Sequence, residues 1–233
     1  SFVVIVTLIA SQDGHLVLEA RAHLWPALIH IWITFLVSLL LATRYRANLG
    51  SEAELLPVLF LTIVLANIKI LPLHQAITGT FLLDGGVLTF IYHGSLLYTS
   101  FLFLIGSLLF LRLSPSRIGF ITFVGAAGSA LLALLVPSSP NDPSFLLEAG
   151  VSDSLFLSIC ITLTVVAALS YLVIALGEHT KRDTRFKTVA FLLLTVGNAF
   201  VSISQRTFYN IIGLIIYGAG ATILVLASRS YHI

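Results

Sequence analysis

A chain of 233 residues that is 58% hydrophobic and only 9% charged, with a net charge of +2 and a mean hydropathy of +1.06, has almost no surface to offer to water. Soluble domains devote about a quarter of their residues to Asp, Glu, Lys and Arg. The composition therefore reads as an all-α, polytopic membrane protein, a single transmembrane domain over 1–233 with no room for a separate catalytic domain and no nucleic-acid partner.

In chain order, residues 1–10 are apolar but too short to span a bilayer. They lead into SQDGHLVLEARAH, whose charged face makes 1–23 read as an interfacial or peripheral segment, with the end of a truncated span as the alternative. The first span is expected over 24–43, closed by Arg44 and Arg46, with Trp25, Trp32 and Tyr45 suited to the aromatic belts. The second runs over 55–73, with Lys69 near enough to its end to snorkel. The third is the run AITGTFLLDGGVLTFIYHGSLLYTSFLFLIGSLLFL, 76–111, which carries one carboxylate, Asp84, and one imidazole, His93. At about 1.5 Å of rise per residue it exceeds a hydrocarbon core of roughly 30 Å. It is either one long, tilted helix or two pieces broken at Gly85-Gly86. Spans one to three thus fill 24–112.

The fourth to seventh spans occupy 113–233. The fourth, 118–136, contains GAAGSA, small residues at the spacing that lets helices approach closely. A polar loop, 137–153, opens with the proline-rich PSSPNDPS and is the natural linker. Spans at 154–176, 188–204 and 209–227 follow, with the basic loop GEHTKRDTRFK between the first two of these. The single cysteine, Cys160, sits inside an apolar run and leaves no intrachain disulfide. The loops after spans one, three and five and the C-terminal end hold Arg44, Arg46, Arg112, Arg117, Lys181, Arg182, Arg185, Lys187 and Arg229, against Arg21, Lys69 and Arg206 on the other side. Positive charge stays on the side of insertion, which puts the first span's N-terminal end outside.

An ionisable group within an apolar span costs about 2.5–3.5 kcal/mol on insertion and needs a partner or a polar cavity. Asp84 is thus the first candidate for a proton or polar site, with Thr80 one turn away and His93 on the same run, and it is expected to be shielded from lipid. A haem held by His30 and His93 on facing helices is conceivable, but no clustered ligand set exists and no metal site is expected. The sequence has no H-E-x-x-H, no G-x-S-x-G and no nucleotide-binding loop, and no lysine in the last span for a retinal Schiff base.

Read from Ile77, the third span runs I-T-G-T-F-L-L-D-G-G-V-L-T-F-I-Y-H-G-S-L-L-Y-T and resembles helix three of cytochrome c oxidase subunit III, matching at Ile77, Thr78, Gly86, Tyr92, His93, Ser95, Leu96 and Thr99. The Trp25-Pro26 pair opening the first span and the total of seven helices agree with that family. Its helix-three glutamate position is held here by Thr80, with Asp84 a turn later, and its G-F-H-G-x-H run has no counterpart in 188–204. The resemblance implies a non-catalytic core subunit of a respiratory terminal oxidase, with no haem or copper of its own. It implies packing on the catalytic haem/copper subunit and other membrane subunits, support of assembly and proton uptake, and residence in the mitochondrial inner membrane or a bacterial plasma membrane. It also implies a phospholipid held between the first two helices and the remaining five, its headgroup near His23, Trp25 and His30. The residues alone leave two other readings open. One is a small ion or proton channel or secondary transporter with Asp84 and His93 at its site and Gly85-Gly86 as a helix break; the other is the membrane sensor part of a signalling protein.

Overall fold

The structure, a computed structural model, describes residues 16–44, 52–71, 83–110, 115–136, 154–177, 182–204 and 207–229. These form seven α-helices and, among the described residues, no strand: α1 (Leu16–Arg44), α2 (Glu52–Ala66), α3 (Gly85–Phe110), α4 (Pro115–Leu135), α5 (Ser154–Leu176), α6 (Arg182–Ile203) and α7 (Thr207–Arg229), with a 3-10 turn, Asn67–Lys69, continuing α2. All except α2 are long and apolar enough to cross a membrane by themselves. The protein is thus an integral membrane helical bundle. In hydrocarbon each backbone N–H and C=O must be satisfied within its own segment, and apolar runs of this length leave the helix as the available solution. Hydroxyls follow the same rule: Thr34 donates to the His30 carbonyl at 2.7 Å, Thr89 to Gly85 at 2.8 Å and Thr195 to Phe191 at 2.7 Å, so these side chains sit among apolar neighbours without an orphaned O–H.

Two expected boundaries move. The first helix begins at Leu16 rather than 24, so the 1–23 segment is in part a continuation of α1. The third begins at Gly85, with Leu83 and Asp84 outside the helix, and the earlier part of the run, 76–82, lies outside the described residues. Thr80, the 1–15 segment and the 137–153 loop lie outside the described residues.

The helices close into a ring in which α1 packs on α2 and α7, α3 on α2 and α5, and α6 on α5 and α7, while α3 also reaches α6 across the middle; α4 leans on α3 from outside. Of the helices long enough to span, α3 is the most buried and α4 and α5 the least, so α3 is the axis and α4 and α5 present broad faces outward. Phe120, Phe123 and Leu135 on α4 and Leu155 and Val173 on α5 are exposed, as lipid contact requires. The GAAGSA run does face a partner: Gly125 and Ser129 are buried, and the Phe101 ring of α3 occupies the space beside Gly125. α1 packs along α7 and α2 along α3, so the first two helices touch the remaining five directly.

The centre is built on Tyr171 of α5. Its hydroxyl donates to the Phe103 carbonyl of α3 at 2.7 Å, and its ring stacks on Phe191 of α6 with centroids 5.7 Å apart. Gly106 on α3 makes room for the phenol, since any side chain there would meet the Tyr171 hydroxyl.

Candidate functional site

Polar groups gather where the C-terminal ends of α2 and α6 meet the N-terminal half of α1 and the early turns of α3 and α7. The chemistry starts with Asn67, the first residue of the 3-10 turn, where α2 tightens its last turn. The Asn67 amide nitrogen donates back to the Ile63 carbonyl at 2.8 Å and also lies 3.1 Å from Nδ1 of His30. An amide nitrogen carries two hydrogens and no acceptor. The hydrogen-bond network therefore assigns His30 Nδ1 as the acceptor and Nε2 as the protonated nitrogen. His30 is fully buried and Asn67 nearly so. Neither His30 Nε2–H nor Asn67 Oδ1 has a hydrogen-bond partner among the described residues. One is a donor and the other an acceptor, both withdrawn from water, where an unsatisfied polar group costs about 1–3 kcal/mol.

The ring of His30 is clamped from its other side. Tyr217 of α7 meets it edge-on with centroids 4.3 Å apart. The Tyr217 hydroxyl shares a 3.0 Å hydrogen bond with Thr34, one turn along α1. Three helices thus fix one imidazole, and its orientation is set by neighbours rather than by its own rotamer freedom.

Lys69 stands two residues beyond Asn67. Its ammonium donates to the Val201 carbonyl at 3.0 Å, which belongs to the last turn of α6 and so lacks an intrahelical donor. The neighbouring carbonyl, Ser202, takes a hydrogen bond from the Tyr92 hydroxyl of α3 at 3.0 Å. A cation at a helix C-terminus is favoured by the macrodipole, and Lys69 lies close enough for its charge to act on His30. Where side chains are described, the acids Glu54, Asp84 and Asp183 are all exposed. No described carboxylate faces the interior, and among the described residues the Val201 carbonyl is the one hydrogen-bond partner of Lys69.

The residues singled out from sequence fare differently. Asp84 is exposed rather than shielded, and it caps α3: its carboxylate accepts from the Gly86 N–H at 2.9 Å and its carbonyl receives the first helical bond, from the Leu88 N–H at 3.0 Å. The reason is local. Asp is a preferred N-cap and the two glycines after it carry no competing side chains, so the carboxylate sits at the helix entrance and not within the span. His93 is fully buried on the same helix; its Nδ1–H donates to the Thr89 carbonyl at 2.8 Å, with Phe156 edge-on at 5.0 Å. Asp84 and His93 are therefore not brought together. Of the residues expected near a headgroup, His30 is buried and Trp25 half exposed, and the side chain of His23 lies outside the described residues. Helix α2 stands between the helices of His30 and His93, and among the described residues no three His, Cys, Asp or Glu side chains gather as metal ligands.

No protein-family model matches the chain, and no curated protein shows significant similarity to it. The site has to be judged on its own chemistry. Asn67 and Tyr217 were not singled out from sequence, and Lys69 only as a snorkelling end residue. The available signal was an Asn two residues before a Lys inside an apolar run, a pairing that a bilayer would penalise without a purpose.

The cap gives a direct test of the Asp84 assignment. Asp84→Ala is expected to lower stability by about 1 kcal/mol, and Asp84→Asn by much less, since Asn caps as well as Asp. Thermal unfolding in detergent measures both; an Asn variant as unstable as the Ala variant would show that charge, not capping, is what Asp84 supplies.

Proposed function

We propose that the chain is a membrane-embedded binding module of the transporter or sensor kind, which takes a small polar solute at His30, Asn67 and Lys69. The observation that carries this reading is the pair of buried polar atoms on His30 and Asn67 that have no partner among the described residues, beside a lysine that has no carboxylate among them. Groups of this kind are costly in a membrane interior, and intramembrane ionisable residues facing a bundle interior commonly mark solute or ion pathways. The roles in this reading differ from those first expected from sequence: Asp84 caps a helix and His93 is packed, so the working residues are those of α1 and α2. Nothing in the arrangement supplies a nucleophile with its base, and a catalytic role is not proposed.

The test is a thermal-shift screen of the full chain in detergent against anionic, neutral and cationic polar solutes. At least one solute should raise the unfolding temperature saturably, and Asn67→Leu should weaken its apparent affinity at least tenfold. A screen without a saturable hit, or a hit indifferent to Asn67→Leu, would remove the reading. Flux of that solute into proteoliposomes then separates a transporter from a sensor.

A second reading keeps the resemblance to cytochrome c oxidase subunit III and a mitochondrial inner or bacterial plasma membrane location, with phospholipid and a haem/copper subunit as partners. It is supported by one feature: the matched positions Tyr92, His93, Ser95, Leu96 and Thr99 are all buried, so the likeness runs along the packed face of α3. Mass spectrometry of the natively purified protein decides, since this reading requires haem-bearing subunits to co-purify.

A further inference from the structure

We propose that the ligand of the His30–Asn67–Lys69 site presents an oxyanion, a carboxylate or phosphate group, with Lys69 as its counter-charge and the His30 Nε2–H as its directed donor. This inference rests on the binding-module reading and names the ligand class. The first argument is charge. The Lys69 ammonium has three N–H donors, of which the Val201 carbonyl takes one. That carbonyl and the helix end behind it supply about half a negative charge, and the exposed acids Glu54, Asp84 and Asp183 add none inside the bundle. Among the described residues the site is left positive in a medium where charge is poorly screened, so an anion gains there and a cation is repelled.

The second argument is direction. Because Asn67 donates to His30 Nδ1, Nε2 is fixed as a donor, fully buried and without a partner among the described residues. A donor held on α1 between α7 and the turn that continues α2, beside a lysine, matches an oxygen that carries charge; such charge-assisted bonds are about twice as strong as neutral ones. Asn67 Oδ1 is the remaining acceptor, and it suits a hydroxyl on the same ligand. The oxyanion has two possible sources, a soluble metabolite or the headgroup of a phospholipid.

Acetate and inorganic phosphate are the probes, each titrated at constant ionic strength into the full chain in a phosphate-free glycoside detergent, with thermal unfolding as the readout. A saturable rise in unfolding temperature is expected with at least one of them. Lys69→Gln, which keeps a donor for Val201 but removes the charge, should weaken the apparent affinity at least tenfold, and Lys69→Arg should recover most of it. Repeating the titration in nanodiscs separates the sources. A response present in galactolipid discs but lost in phosphatidylglycerol discs assigns the site to a headgroup, and a response in both assigns it to a soluble anion; each supports the proposal. No saturable response to either probe overturns it, as does a Lys69→Gln protein that responds like wild type. If the anions do nothing while a neutral or cationic solute stabilises the protein in an Asn67-dependent way, the oxyanion inference falls and the binding-module reading stands.

Discussion

Gly197→Ala is expected to be among the most damaging single-methyl additions to this protein. A Cβ at Gly197 would lie 2.5 Å from the Tyr217 backbone nitrogen, 2.7 Å from its Cα and 2.8 Å from the Gly213 carbonyl oxygen. Carbon contacts are comfortable at about 3.5–4.0 Å, and the obstructing atoms are all backbone, so no rotamer change relieves the clash. Helices α6 and α7 must part instead, and with them goes Tyr217, which holds Thr34 and the His30 ring. Overpacking of this kind costs up to about 3 kcal/mol, which for a chain of this size corresponds to a fall in unfolding temperature of order 10 °C. Gly128→Ala is the control: nothing lies within 4 Å of a Cβ there, and the gain in helix propensity, up to about 1 kcal/mol, leaves it neutral or slightly stabilised. Circular dichroism of both variants in one detergent makes the comparison; equal unfolding temperatures would mean that α6 and α7 do not meet backbone to backbone.

Tyr171→Ala should be of similar size for the opposite reason, a hole rather than a clash. The phenol is wholly buried, stacked on Phe191, edge-on to Phe110 and bonded to the Phe103 carbonyl. Lipid tails are as apolar as these neighbours, so the loss is mainly of dispersion contacts that lipid does not refill. Truncating a large aromatic in a core costs about 3–5 kcal/mol. Tyr171→Phe removes only the hydroxyl and should cost about 0.6 kcal/mol, the usual worth of a hydrogen bond between membrane helices. A Phe variant as unstable as the Ala variant would move the weight of this contact from packing to the hydrogen bond.

The sequence by itself determined the class of protein and most of its helices. Charge scarcity and apolar runs of spanning length leave no other solution in a bilayer, and the span at 154–176 coincides with α5. Helix ends were less legible where polar residues continue a helix beyond the bilayer, as at Leu16 and Arg182, or where a cap cuts into an apolar run, as at Asp84. Hydropathy reports the environment of a residue and not whether its backbone is helical. Only the tertiary structure decided which polar residues meet. Asp84 looked intramembrane because its neighbours in sequence are apolar, yet it sits at a helix entrance. His30 and Asn67, 37 residues apart, touch, and Lys69 reaches a carbonyl 132 residues away. Hydrophobicity is a property of each segment alone, whereas a hydrogen bond between helices depends on which faces the ring turns inward, and the composition of a single helix that is apolar all round does not specify its facing.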